Sequence, residues 1–175
     1  NYRPVTNKVW QVIEDGAVLL SLPTTLEASL AETLSNNIQC ARKSKFFKTG
    51  SEAMSAAVRV ARAYTGKEKV AVCGYHGWHD WYAVSTGRTA GIPKDYAKHI
   101  VKFNYNDPQS LLDCFNAADI AAVIMEPVVY DEPKDDFLKT VLKIAHDHDA
   151  LLIFDEIVTG MRFGTGGAMK VFDVV

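Results

Sequence analysis

Two adjacent carboxylates, Asp155 and Glu156, directly follow the apolar run LLIF at residues 151–154. Two like charges side by side are unfavourable unless something nearby compensates them. A strand end that reaches water is the simpler explanation of this pair. The alternative is that a rigid carboxylate at the end of a buried strand serves as a fixed anion that holds a cation, and Asp155 is the candidate for that role.

A second group of candidate residues is the segment TGSEA, residues 49–53. Gly50 lets the backbone approach a ligand closely, and Ser51 offers a hydroxyl. The first turn of a following helix offers free N–H groups and a positive dipole end. These features together suit a phosphate group. The alternative is that Ser51 only caps the helix, a common role for serine.

Aromatic and imidazole side chains are concentrated in YHGWHD, residues 75–80. Tyr75 or Trp78 could stack on a flat ring. His76 could orient a ring substituent or transfer a proton. The alternative is an aromatic loop that packs at a subunit interface.

A metal site is a further alternative, in which His76 and His79 act with Asp80, or with Asp155 and Glu156. No third strong ligand stands at a diagnostic spacing from the two histidines. We therefore predict no metal.

Glu126 follows the apolar segment at residues 120–125 and precedes Pro127. Its carboxylate could face a substrate or a cationic partner, or reach water. A phosphate cradle, a stacking aromatic and the strand-end Asp155 are together what pyridoxal phosphate (PLP) needs. Its sites typically place an aspartate against the pyridinium nitrogen.

A common framework must bring these residues together, and the hydrophobic pattern predicts it. Continuously apolar segments suit strands that are covered on both faces. Such segments are KFFK (45–48), KVAVC (69–73), HIVKF (99–103), IAAVIM (120–125) and LLIF (151–154). Their alternation with helices predicts an α/β fold with a mostly parallel sheet. Ligands bind beyond the carboxyl ends of such strands, so the groups above should meet at one sheet edge.

Helical spacing of apolar residues predicts the helices. They cover about residues 7–15, a segment from Thr24 onward, and residues 52–65, 108–116 and 136–148. Thr24 and Glu27 have the spacing of a capping box. In the same helix a buried stripe is predicted from apolar residues at every fourth position, namely Leu26, Leu30, Leu34 and Ile38.

The composition is that of an ordinary globular protein, with 175 residues, 48% of them hydrophobic, and a net charge of -2. It favours neither nucleic acid nor an anionic membrane as a partner. Three widely spaced cysteines indicate reduced thiols, and hence a cytoplasmic protein. The start at Asn1, with no initiator methionine, suggests a piece of a longer chain.

Four ordered segments now resemble the class III PLP-dependent aminotransferases, and most of all the glutamate-1-semialdehyde aminomutase group with its sugar- or amine-transferring relatives. They are KTGSEAMSAAVRVARAYTGKEKV, YHGWHDW, AAVIMEPV and LLIFDEIVTGMRFGTGGA. The resemblance implies the large-domain portion of PLP fold type I, a homodimer, and a PLP site near the subunit interface. It also implies transfer of an amino group between an amino donor and a carbonyl compound.

The resemblance implies roles for individual residues as well. Gly50 and Ser51 would hold the phosphate, and Tyr75 would stack on the ring with His76 beside it.

On the other side of the site, Asp155 would pair with the ring nitrogen, Ile157 would pack against the ring face, and Glu126 would lie near the substrate. The catalytic set is then Asp155, Glu126 and His76. Three positions depart from the family pattern. Thr49 stands where serine is usual, Met54 where asparagine or valine is more usual, and Asp131 where many members have asparagine.

The family's Schiff-base lysine falls beyond Val175, and Lys170 matches an ordinary surface position. Residues 1–175 are therefore expected to be part of the PLP-binding large domain, without the N-terminal segment, the lysine region and the small domain. The alternative to an enzyme is a non-catalytic fragment or a degenerate copy without that lysine.

Overall fold

The computed structural model describes residues 2–16 and 24–174. By its internal contacts the chain divides into two compact units, Asn1–Phe46 and Phe47–Val175. No helix in the described part of the chain is long and apolar enough to cross a membrane.

The first unit contains two helices, α1 (Arg3–Glu14) and α2 (Thr25–Asn37). The capping box predicted for α2 is confirmed. The backbone N–H of Thr24 donates to Glu27 Oε2 over 2.8 Å, and the N–H of Glu27 donates to Thr24 Oγ1 over 3.4 Å. Two donors that the first helical turn would otherwise leave unpaired are thus satisfied.

The buried stripe predicted on α2 is wrong. No residue of α2 is buried, and Leu26 and Leu30 are each 47% exposed. Spacing of four residues shows that apolar side chains share a helix face. That face becomes core only where another element covers it, and periodicity carries no information about the cover.

The second unit contains a parallel four-stranded sheet in the order β2-β1-β3-β4. Its strands are β1 (Lys69–Cys73), β2 (Ile100–Lys102), β3 (Ile120–Met125) and β4 (Leu151–Phe154). All four were predicted. The fifth predicted strand, at residues 45–48, is wrong because that segment is irregular. A strand needs a neighbour to complete its hydrogen bonds, and this segment pairs with no strand in the described residues.

Helices connect the strands and cover both faces of the sheet. They are α3 (Gly50–Thr65), α4 (Asp80–Ala83), α5 (Pro108–Ala117), α6 (Phe137–Asp147) and α7 (Gly167–Val171), with a 3-10 helix at Lys94–His99. Helix α3 ends at Gly66, whose φ of 71° is left-handed, as is common for glycine after a helix. Helix α5 begins at Pro108, as predicted, and Asp107 is its N-cap.

The core is centred on β3, of which every residue is buried. Alternate side chains of the strands point to opposite faces. On one face they pack against α5 and α6, through residues such as Leu111 and Val141. On the other face they pack against α3, through Met54, Val58 and Ala61.

The exposure of α3 gives a matched test of this packing. Val58 is 2% exposed and Val60 is 64% exposed. We expect Val58→Ala to lower the free energy of unfolding by about 2 kcal/mol, since it removes two buried methyl groups and leaves a cavity. Val60→Ala should change it by less than about 0.5 kcal/mol. Urea unfolding of both variants measures the difference, and equal effects would contradict the assignment of α3's buried face.

Candidate active site

A buried contact between His76 and Asp155 lies at the carboxyl end of the sheet. His76 Nδ1 is 2.9 Å from Asp155 Oδ2, and the two residues are 1% and 4% exposed. Asp155 directly follows β4, while His76 belongs to the loop after β1. Because β3 lies between β1 and β4, this contact spans the end of the central strand.

Both nitrogens of the His76 ring have a hydrogen-bond partner. Nε2 is 3.0 Å from the carbonyl oxygen of Cys73, which can only accept, so Nε2 donates there. Nδ1 lies 2.9 Å from Asp155 Oδ2. The buried imidazole and the buried carboxylate are therefore both satisfied by partners inside the protein.

Glu156 points to different partners from its neighbour. Its carboxylate accepts the N–H groups of Ala168 and Met169 over 2.9 and 2.8 Å, at the start of α7. It also accepts the hydroxyl of Thr159. The two adjacent acids at the end of β4 are therefore compensated separately, Asp155 by an imidazole and Glu156 by backbone donors.

The start of α3 has the donors that an anion needs. Thr49 is the N-cap, and its Oγ1 accepts the N–H of Glu52 over 3.3 Å. Ser51 is therefore not the cap. It is buried, and its Oγ accepts the N–H of Trp78 over 3.3 Å, which leaves its own hydrogen available. Within residues 24–174, the N–H groups of Gly50 and Ser51 have no acceptor.

Two glycines keep this corner open. A Cβ on Gly77 would lie 2.3 Å from Ser51 Oγ, and Gly77 has a φ of +93°. A Cβ on Gly50 would lie 2.0 Å from Ile157 Cδ1. Position 77 therefore requires glycine, whereas a side chain at position 50 would displace the Ile157 side chain. The donor set and the close backbone approach fit a phosphate group at this corner.

Tyr75 and Ile157 are the exposed apolar residues beside the buried pair, with exposed fractions of 62% and 61%. Ile157 is oriented by its N–H, which donates to Asp155 Oδ1 over 3.3 Å. Tyr75 meets the ring of Tyr82 edge to face, with 5.7 Å between the centroids. Both side chains are accessible to a flat ligand.

The peptide bond between Gly74 and Tyr75 is hydrogen-bonded to the side chains of two further residues. Glu126 Oε1 accepts the N–H of Tyr75 over 2.7 Å, and the hydroxyl of Tyr82 donates to the carbonyl of Gly74 over 2.6 Å. Burial, followed by the charge of Glu126, raises the pKa of Tyr82. The sequence did not single out Tyr82. It could have been identified as an aromatic residue in the short helix that follows the loop of residues 75–80.

All seven predicted site residues are thus joined through short contacts. Gly50 contacts Ile157, Ile157 bonds to Asp155, and Asp155 bonds to His76. Ser51, Tyr75 and Glu126 are joined to them through the loop that carries His76. In that loop the N–H of Trp78 donates to Ser51, and the N–H of Tyr75 donates to Glu126.

The structure does not bring the side chains of the proposed metal site together as ligands. His79 Nδ1 is 2.7 Å from Ser55 Oγ, and Glu156 is occupied at α7. In the described residues no group of three or more histidine, cysteine, aspartate or glutamate side chains could hold a metal ion.

Two open cavities flank the loop of residues 75–80. One, of about 820 Å³, is bounded by Tyr75, Gly77 and the segment from Thr86 to Ile92, including Arg88. The other, of about 770 Å³, is bounded by Trp78, Trp81 and the outer side of α3.

A family model of the class III aminotransferases matches residues 4–175. Glutamate-1-semialdehyde 2,1-aminomutase of Methanothrix thermoacetophila is 41% identical to this chain; the alignment covers 97% of this chain and 43% of that protein. 3-Aminobutyryl-CoA aminotransferase of Cloacimonas acidaminovorans is 38% identical, and its alignment covers 97% of this chain and 42% of that protein. The chain thus spans less than half the length of these curated relatives.

The fold agrees with that of a solved transaminase. A solved structure described as a transaminase with PLP bound superposes with a TM-score of 0.78 at 30% identity; it covers 87% of this chain and 40% of the other. The predicted α/β class and the type I fold of PLP-dependent transferases are confirmed by this likeness.

Because Gly77 lies against Ser51 and Gly87 lies in open space, we expect substitutions of these two glycines to differ in their effect on stability. Gly77→Ala should lower the free energy of unfolding by about 1–3 kcal/mol, since alanine is strained at this φ and its Cβ would strike Ser51. Gly87→Ala, in open space, should change it by less than about 0.5 kcal/mol. Denaturant unfolding of both variants tests this, and a Gly77→Ala protein of unchanged stability would contradict the described loop.

Proposed function

The chain belongs to the class III aminotransferase family, and we propose that it carries the PLP-binding part of an aminotransferase or aminomutase. The observation that carries this proposal is the buried Asp155–His76 pair beside the anion-binding start of α3. A carboxylate and a phosphate cradle at one sheet edge match the two ends of PLP. No metal or nucleic acid takes part.

The proposed reaction moves an amino group between a small-molecule amino donor and a carbonyl compound. The two relatives support the reaction class and differ in substrate, since one is named an aminomutase and the other an acyl-CoA aminotransferase. We propose a substrate like glutamate-1-semialdehyde, or a sugar or amine. The cavity of about 820 Å³ beside Tyr75 is the proposed entry for it.

PLP, when bound, supplies an electron sink that stabilises negative charge at the substrate carbon. The role of this chain is to bind and orient that group. The N–H groups of Gly50 and Ser51, with the Ser51 hydroxyl, would hold the phosphate. Tyr75 and Ile157 would contact the two ring faces. Asp155 would keep the ring nitrogen protonated, because a buried carboxylate favours a cation beside it.

His76 would keep the Asp155 carboxylate in place for that purpose. Its Nε2–H is anchored on the carbonyl of Cys73, so Nδ1 has one direction in which to share a hydrogen with Asp155. The aspartate therefore cannot rotate away without breaking a buried hydrogen bond.

A homodimer and a cytoplasmic location complete the proposal. Helix α3 exposes Val60 and Tyr64, and Trp78 is exposed in the loop of residues 75–80. Apolar and aromatic surface of this kind is typical of protein interfaces, and we propose a second copy of the chain as its partner. The cytoplasm is proposed because two of the three cysteines are buried thiols in a reduced state.

Asp155→Asn tests the central residue. In the full-length protein that carries this sequence, it should reduce turnover about 30-fold to several thousand-fold, which corresponds to roughly 2–5 kcal/mol for a buried charged partner. Far-UV circular dichroism should be unchanged, because asparagine keeps the shape of the side chain. Asp119→Asn, an exposed aspartate just before β3 at the opposite end of the sheet, is the control. Normal turnover of Asp155→Asn would remove the proposed role of this residue.

Ser51→Ala and Thr49→Ala separate cofactor binding from helix capping. Ser51→Ala should weaken PLP binding about tenfold through loss of one charge-assisted hydrogen bond. Thr49→Ala should instead lower the stability of the cofactor-free protein by about 1 kcal/mol, as the loss of an N-cap does. PLP titration and urea unfolding measure the two effects. Full PLP affinity in Ser51→Ala would contradict the phosphate assignment.

The lysines of this chain give a test of where the covalent chemistry lies. We expect residues 1–175, incubated with PLP and reduced with borohydride, to show scattered, low-level lysine labelling by mass spectrometry. Lys170 is exposed, whereas a lysine that forms a Schiff base is activated by a desolvated pocket or a neighbouring cation. Stoichiometric modification of one lysine, above all Lys170, would contradict this expectation.

A further inference from the structure

Both polar groups of the peptide between Gly74 and Tyr75 are hydrogen-bonded to side chains. Its carbonyl accepts the Tyr82 hydroxyl over 2.6 Å, and its N–H donates to Glu126 Oε1 over 2.7 Å. Glu126 follows β3 and Tyr82 lies in α4, so the two side chains reach this peptide from separate elements. Backbone groups in a loop usually bond to other backbone groups or to water. One peptide with two dedicated side-chain partners is held unusually firmly.

A glycine at position 74 is consistent with these two hydrogen bonds. Gly74 has a φ of +99°, and a Cβ there would lie 2.7 Å from Glu126 Oε1. Any larger residue would be strained and would push the carboxylate off the peptide. Glycine at this position therefore serves the contact with Glu126.

Tyr82 also supports the two side chains that follow the peptide. Its buried ring meets His76 edge to face at 5.2 Å and Tyr75 at 5.7 Å. Edge-to-face pairs of this spacing prefer a defined orientation. The hydroxyl and the ring of one residue thus act on the backbone and on both neighbouring rings.

We infer that Tyr82 and Glu126 are a pair of positioning residues that set the orientation of Tyr75 and His76 for a bound cofactor. The inference rests on the proposed PLP site. It gives Glu126 a task different from the contact with substrate that the resemblance implied. Glu126 acts through the backbone of Tyr75, and Tyr82 acts through the same peptide and through the rings.

A cofactor titration in the full-length protein tests the pair. The proteins are the wild type, Tyr82→Phe, Glu126→Leu and the double variant. Phenylalanine keeps the ring contacts and removes only the hydroxyl, while leucine has a similar volume and cannot accept the N–H of Tyr75. We expect each single variant to raise the dissociation constant for PLP about tenfold, the effect of one lost buried hydrogen bond, and to shift the absorption band of the bound cofactor.

The double variant shows whether Tyr82 and Glu126 act together on one peptide or have independent effects on PLP binding. Once one partner is lost the peptide can move, so the second loss should cost less. We therefore expect the double variant to weaken binding by clearly less than the product of the two single factors.

Tyr105→Phe is the matched control. The Tyr105 hydroxyl donates to the carbonyl of Pro127 over 2.7 Å, so it makes the same kind of bond at the same sheet edge but does not touch Tyr75 or His76. It should lower stability in urea as Tyr82→Phe does, yet leave the PLP affinity and absorption band unchanged.

Each outcome bears on one of the two claims. Wild-type PLP affinity in Tyr82→Phe and Glu126→Leu, or a double variant equal to the product, overturns the inference and leaves the proposed function intact. A wild-type protein that does not bind PLP overturns the proposed function, and this inference with it. Should Tyr82→Phe fail to fold, wild-type affinity in Glu126→Leu still overturns the shared role.

Discussion

The buried contact between His76 and Asp155 is the interaction on which the site depends. It joins the loop after β1 to the end of β4 across the central strand. Each partner alone would be a costly buried polar group, and together they hydrogen-bond to each other. Tyr75 precedes one partner and Ile157 lies two residues beyond the other, so this contact joins the two segments that carry the exposed side chains.

The pair of acids after β4 shows how one strand end can serve two purposes. Neighbouring residues of an extended chain point to opposite sides. Asp155 therefore turns toward the loop after β1, while Glu156 turns toward α7 and ties the segment after the strand in place. The repulsion that adjacent carboxylates would otherwise suffer is removed by giving each its own donors.

Local features of this chain could be predicted from sequence because their causes are local. The caps at Thr24 and Asp107 and the apolar strands depend on residues within a few positions. The irregular segment at 45–48 and the exposed face of α2 could not be predicted, since strand pairing and burial depend on distant partners. The same holds for Tyr82, whose importance comes from a loop peptide eight residues earlier and from Glu126.

The strand order has a consequence for synthesis on the ribosome. β2 pairs with one side of β1, β3 with the other side, and β4 with β3. Each new strand can therefore dock on a free edge as it emerges, and none has to insert between strands that are already paired. The histidine and the aspartate are 79 residues apart in sequence, and long-range contacts form late. His76 therefore remains without Asp155 until β4 has been translated.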